Sequence, residues 1–125
     1  MTLPPYVEPE GTEDAIEEFR TQLDRTVDYL RSLPLDRLSR SDSSGRSLAE
    51  VAHELSQQLA DTAASLRLGE PDRKVPSLKP HAAGDQVAVT GYELVIAAQS
   101  ALADPIPSLA RASESCRELR VTRPT

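Results

Sequence analysis

The side chains with the most capacity for chemistry are few: His53, His81, Cys116 and the amide, hydroxyl and carboxylate of Gln86, Thr90 and Glu93. An imidazole titrates near neutral pH, donates or accepts through either ring nitrogen, and ligates zinc or nickel. His53 lies in SLAEVAHELSQQLADTAASL, residues 47–66, where Leu48, Val51, Ala52, Leu55, Leu59, Thr62, Ala63 and Leu66 recur at three- and four-residue steps. That recurrence is one buried stripe of a helix. At about 100° per residue His53 falls about 140° round from Leu48, on a flank with Ala49, Ala60 and Ala64. The small side chains there leave room for a groove, and a lone histidine in such a place is most simply a hydrogen-bonded structural residue. Gln86 and Thr90 stand four residues apart, a spacing that places both on one helix face. His81 sits in a proline-rich stretch and reads as an exposed loop residue. Closing over the groove, it would instead complete a two-histidine site with Glu93 or Glu54. Cys116 is the single cysteine, so an intramolecular disulfide and a cysteine zinc site are excluded, and it reads as a small buried hydrophobe. The spacing of Ser43, Ser44 and Ser47 belongs to loop and cap chemistry rather than to a nucleophile–base–orienter set.

The elements that must position these residues are helical. With 125 residues the chain is expected to be one domain. A net charge of −6, from 14 basic and 20 acidic residues, excludes a nucleic-acid partner, which needs clustered Lys and Arg. No apolar run approaches the ~20 residues of a membrane span, and the first ten residues lack a signal peptide's basic start and apolar centre. The expectation is a soluble protein of the reducing cytoplasm, with no membrane partner. Residues 1–11, with three prolines, read as an irregular arm. Thr12 reads as the N-cap of a first helix over 12–33, with Ile16, Phe19, Leu23, Val27 and Leu30 as its stripe and Pro34 as its stop. One helical turn and a polar loop follow. Ser47 and Glu50 form a capping-box pair for a second long helix over 47–67. Residues 68–83, broken by Pro71, Pro76 and Pro80, predict a long crossover that serves as a lid or a strap.

Residues 84–103 are ambiguous. Val87, Val89, Val95 and Ile96 favour strand, but length and alanine content favour helix, and the stretch reads as helix. On a helix, Val87, Leu94, Val95, Ala98 and Leu102 line one face and Val89, Tyr92 and Ile96 a second. Gln86, Thr90, Glu93, Ala97 and Ser100 fall between. Such a helix is buried on two sides, or buried on one and used for self-association on the other. Asp104 and Pro105 open a last helix over 105–119. The architecture expected is an all-α four-helix bundle.

The pairing of GRSLAEVAHEL with the later VAVTGYELVIAAQSAL resembles the DinB-like four-helix-bundle superfamily. More narrowly, it is similar to the metal-binding domain of mycothiol-dependent maleylpyruvate isomerases. The resemblance spans roughly Thr12 to Leu102 and implies a divalent metal, zinc or nickel, held by a histidine on one helix and by a glutamate and a histidine on a later one. His53 matches the first ligand, and Gly91, Tyr92, Glu93 and Leu94 match the family's glycine–tryptophan–aspartate–leucine. Arg46 stands where an aromatic residue is common. Gln86 and Thr90 occupy the other two ligand positions, and an amide and a hydroxyl do not bind zinc or nickel as carboxylate and imidazole do. The implied protein is a non-catalytic bundle that has lost most of its metal site and is expected to hold no cofactor. It binds a small ligand or a protein partner in a groove near His53, Gln86, Thr90, Tyr92 and Glu93, and forms a homodimer through Val89, Tyr92 and Ile96. The alternative is a metal-dependent thiol transferase or isomerase of the mycothiol type, in which a zinc or nickel on His53 polarises the bound thiol or carbonyl.

Overall fold

The computed structural model describes residues 10–67 and 73–121. The N-terminal arm expected over 1–11 therefore falls almost wholly outside the described residues, as does the start of the crossover at 68–72. The described chain is all-α, in the order α1 (Thr12–Ser32), α2 (Leu35–Ser39), α3 (Leu48–Leu66), a single 3-10 turn (Pro80–Ala82), α4 (Ala83–Gln99) and α5 (Ile106–Val121). Among these residues the one β-type feature is an isolated bridge between Ser41 and Ser47.

Local chemistry explains most of the helix ends. Gly11, at φ 89°, takes the N-cap position of α1 in a left-handed conformation that glycine tolerates. Thr12, expected as the cap, is instead the buried first residue of the helix. At the other end Leu33 turns extended, as a residue before proline must. Ser47 caps α3, its hydroxyl oxygen accepting the Glu50 N–H at 3.1 Å. Asp104 Oδ1 accepts the Ile106 N–H at 2.9 Å at the start of α5.

Each long helix packs on two others: α1 on α4 and α5, and α3 on α4 and α5. The contacts fix direction. Arg31, at the end of α1, bonds Asp85 at the start of α4, while Ile16 and Gln99 line one groove at the opposite ends, so α1 and α4 are antiparallel. The first turns of α3 and α4 line a common cleft, and Arg67 just past α3 donates to the Glu93 carbonyl far along α4, so these two run parallel. Arg120 near the end of α5 donates to Thr26 Oγ1, and Ile106 at its start lies beside Gly11, so α1 and α5 are parallel. Phe19, Leu30, Leu59, Leu94 and Leu109 are fully buried among the four helices.

Of the two burials expected of α4 the structure shows the one-sided one, and it corrects which residues make that side. The helix is buried on one broad face, because it is wedged between α1 and α3. Gln86, Thr90 and Ala97, expected between two apolar faces, lie on that buried face with Val87, Leu94, Val95 and Ala98. Thr90 pairs its hydroxyl within the helix, donating to the Gln86 carbonyl at 3.1 Å. The helix ends at Gln99 rather than near 103, so Leu102 loses the phase that placed it in the core and is 70% exposed, while Ala101 is buried.

The wedge depends on Gly91. A Cβ there would stand 2.4 Å and 2.5 Å from the two methyl carbons of Leu23 and 3.0 Å from its Cγ. Leu23 is itself part of the buried core, so it gives way only by leaving that packing for the shallow groove it borders. Gly91→Ala is therefore expected to destabilise the fold despite alanine's better helix propensity. Overpacking of about 1–3 kcal/mol exceeds a propensity gain of about 1 kcal/mol, and thermal unfolding followed by circular dichroism should show a Tm lowered by about 4 °C.

Candidate functional site

Parallel neighbours cannot be joined by a tight turn. A helix of 19 residues is roughly 28 Å long, so the chain leaving α3 must travel back along it before α4 can begin. Residues 73–79 are the described part of that return, an extended strap lying in the groove between α3 and α4. An extended chain against two helices has backbone N–H and C=O groups that the helices, internally bonded, cannot pair. Side chains supply the partners instead.

His53 and Gln57, four apart on α3, and Gln86 on α4 make the clasp. His53 Nε2 bonds the Val75 carbonyl oxygen at 2.9 Å. A carbonyl oxygen only accepts, so Nε2 carries the proton. Gln57 Oε1 accepts the Val75 N–H at 2.8 Å, and its Nε2 donates to the Arg73 carbonyl at 2.8 Å and to Asp61 Oδ1 at 2.9 Å. Gln86 Nε2 donates to the Pro76 carbonyl at 2.6 Å. Val75 itself is 7% exposed and plugs the groove. At the far end Arg73 Nη2 reaches both carboxylate oxygens of Glu93 at 2.7 Å, and these bonds hold the guanidinium above its already high pKa. Half-exposed ion pairs of this kind contribute little energy, about 1 kcal/mol or less, but they fix register.

Beside the clasp is a cleft of about 470 Å³. His53 and Gln86 form its floor with Ala83, Glu50 and Glu54 stand at one wall, and Ser77, Leu78 and Lys79 of the strap form another. Arg46 pairs with Glu54 at its rim.

The residues expected to share a groove divide into three places. His53 and Gln86 meet at the strap, and Glu93 meets it further along through Arg73. Thr90 is buried within α4 and does not line the cleft. Tyr92 is exposed on the α1 side of α4, in a shallow groove with Leu23, Asp24, Val27 and Asp28. The reason is angular: with Gln86 and Thr90 turned into the interior, Tyr92 comes out on the opposite flank from Glu93. Val89, Tyr92 and Ile96 form an open apolar stripe, 58%, 57% and 47% exposed. His81 is exposed in the 3-10 turn and does not line the cleft, so the two-histidine arrangement is not made. Sequence reasoning missed Gln57, Arg73 and Val75. Gln57 alone left a signal, standing four residues past His53 on the same flank.

This donor set does not fit a divalent metal. His53 keeps a lone pair on Nδ1, opposite the protonated Nε2, and so offers one ligand, but the Gln86 amide presents its N–H and the Thr90 hydroxyl turns to its own helix, so neither joins it. No cluster of three or more His, Cys, Asp or Glu side chains suited to a metal ion occurs among the described residues. Cys116 is no nucleophile either. Burial pushes its thiol up to about 11, so it is not a thiolate near neutral pH. Among the described residues no helix is long and apolar enough to cross a membrane.

Compared with family models, with curated proteins and with solved structures, the chain matches none.

Removing the Gln57 amide leaves the part-buried Val75 N–H without its partner, at a cost of about 1 kcal/mol, while the exposed Arg73 carbonyl turns to water. In Gln57→Ala the Val75 amide is expected to exchange its hydrogen several-fold faster, with exchange in the middle of α1 unchanged.

Proposed function

We propose that this protein is a non-catalytic four-helix bundle of the DinB and maleylpyruvate isomerase kind, whose metal site has become a clasp, and that it works by binding. One observation carries the proposal: the imidazole and the amide at two of the resemblance's three metal-ligand positions bond successive carbonyls of the chain's own strap, Val75 and Pro76. A parallel α3–α4 pair bridged by that strap supports the bundle topology, and the lone buried Cys116 suits a reducing cytoplasm.

Binding has two surfaces to use. The first is the cleft beside His53 and Gln86, lined by both carboxylates and Lys79, which suits a polar ligand or a charged protein segment. The second is the stripe of Val89, Tyr92 and Ile96, three apolar side chains a turn apart on a helix otherwise wedged into the core. A second copy of the chain covers them in a homodimer. The metal-dependent transferase would hold its metal on His53 Nδ1, with the Nε2–H bond to Val75 kept, and would need two further ligands to be brought to it.

Elemental analysis of protein purified without chelator is expected to find zinc and nickel far below one ion per chain. Stoichiometric metal that disappears in His53→Ala would overturn the proposal. In sedimentation equilibrium the wild type should be dimeric at high micromolar concentration, and Ile96→Asp should weaken the dimer by about tenfold or more, ~1.4 kcal/mol; a monomeric wild type would remove the stripe's role.

A further inference from the structure

We infer that the α3/α4 groove recognises an extended basic segment of another protein, with arginine, an apolar residue two positions on and then proline, and that residues 73–76 occupy the groove in its place. This assignment rests on the binding role proposed above and moves the site from the cleft to the adjoining groove where the strap lies.

The occupant's chemistry can be taken from how the strap is held. Three carbonyls, of Arg73, Val75 and Pro76, and the N–H of Val75 are all paired, and every partner is a side chain of α3 or α4. Those bonds read a backbone in extended register and would accept any chain presenting the same groups. Identity is read at two alternate positions, as in other grooves that bind extended peptides. The guanidinium of Arg73 meets both oxygens of Glu93, and the Val75 side chain is buried. Lys74 between them is exposed. Proline suits the next position because the groove offers its backbone a donor for the carbonyl, from Gln86, and that residue has no N–H to satisfy.

The strap is also the kind of occupant that can be displaced. It is held by one valine and by partly exposed polar contacts, which belong to the low-stability end of a fold. A foreign segment is favoured over a second copy's strap by charge. This chain carries a net charge of −6, so long-range attraction draws a basic peptide to the groove and gives a second copy no such help there. Glu50 of the cleft and Glu93 of the groove meet the peptide's charge.

The test uses a fluorescein-labelled peptide, Arg-Lys-Val-Pro-Ser-Leu-Lys, titrated into full-length protein and followed by anisotropy. In the wild type the tethered strap competes at an effective concentration in the millimolar range, so Val75→Asp, which unseats it, should bind the peptide at least about tenfold more tightly. Adding Glu93→Gln to Val75→Asp should weaken binding about fivefold or more, because the charge-assisted pair to the peptide's arginine is lost. A Val75→Asp protein that keeps its helical circular dichroism yet fails to bind, or binds equally well with Glu93→Gln, overturns the inference. If Val75→Asp loses helicity, Arg73→Ala, altered only at an exposed side chain, replaces it and should bind about threefold more tightly than wild type; no gain overturns the inference. An intermolecular disulfide in an Arg73→Cys/Glu93→Cys double variant would also overturn it, giving the groove to a second copy's strap. Elemental analysis of the same samples separates the two levels: stoichiometric metal defeats the binding role itself, whereas metal-free protein that ignores the peptide defeats only this assignment.

Discussion

The arrangement depends on the parallel packing of α3 and α4. Two parallel helices that follow each other in the chain force a return path along their length, and its described part, residues 73–79, is extended chain lying on helical surface. Its carbonyl and amide groups then need partners, because a backbone group shut off from water and left unpaired costs about as much as a lost hydrogen bond. His53, Gln57 and Gln86 meet that need. What the sequence presents as a chemical site is, in the folded chain, the means by which a crossover is held down.

The same constraint accounts for the polarity of the groove. An imidazole and two amides are uncommon where two helices face each other, and they are retained here because each has a backbone partner within 2.6–2.9 Å. Since the bonds run to main-chain atoms, they specify an extended conformation more than a sequence. Sequence discrimination is left to Glu93, which meets Arg73, and to the space filled by Val75. Affinity from backbone bonds and selectivity from two side chains are what a peptide-binding groove needs.

On the other side of α4 the requirement is closeness rather than polarity. Gly91 lets Leu23 of α1 approach the helix backbone, and Thr90 and Ala97 put small side chains on the buried face. With α1 and α3 covering one broad face, Val89, Tyr92 and Ile96 have nowhere to go but outward. An acidic α1 borders that stripe with Asp24 and Asp28, so apolar contact and charge are set side by side on one surface.

Helices were legible from sequence where the cause is local. Ser47 and Glu50 are three residues apart, Pro34 acts on its immediate neighbour, and the stripes of residues 12–33 and 47–67 repeat with the helix itself. The lone histidine beside small residues was likewise visible as a hydrogen-bonded group next to a cleft. Its partner was not, because Val75 is 22 residues away and nothing in the spacing marks which carbonyl the strap turns toward His53. Gln86 and Thr90 share a helix face by periodicity, yet one reaches the strap and the other closes on its own helix, a division set by how α4 is rotated against α1 and α3. Side-chain period fixes which residues lie together on a helix. Only packing decides which of those faces meets the core, which meets the strap and which is left to the solvent, since rotation about the helix axis has no signature within the helix's own sequence.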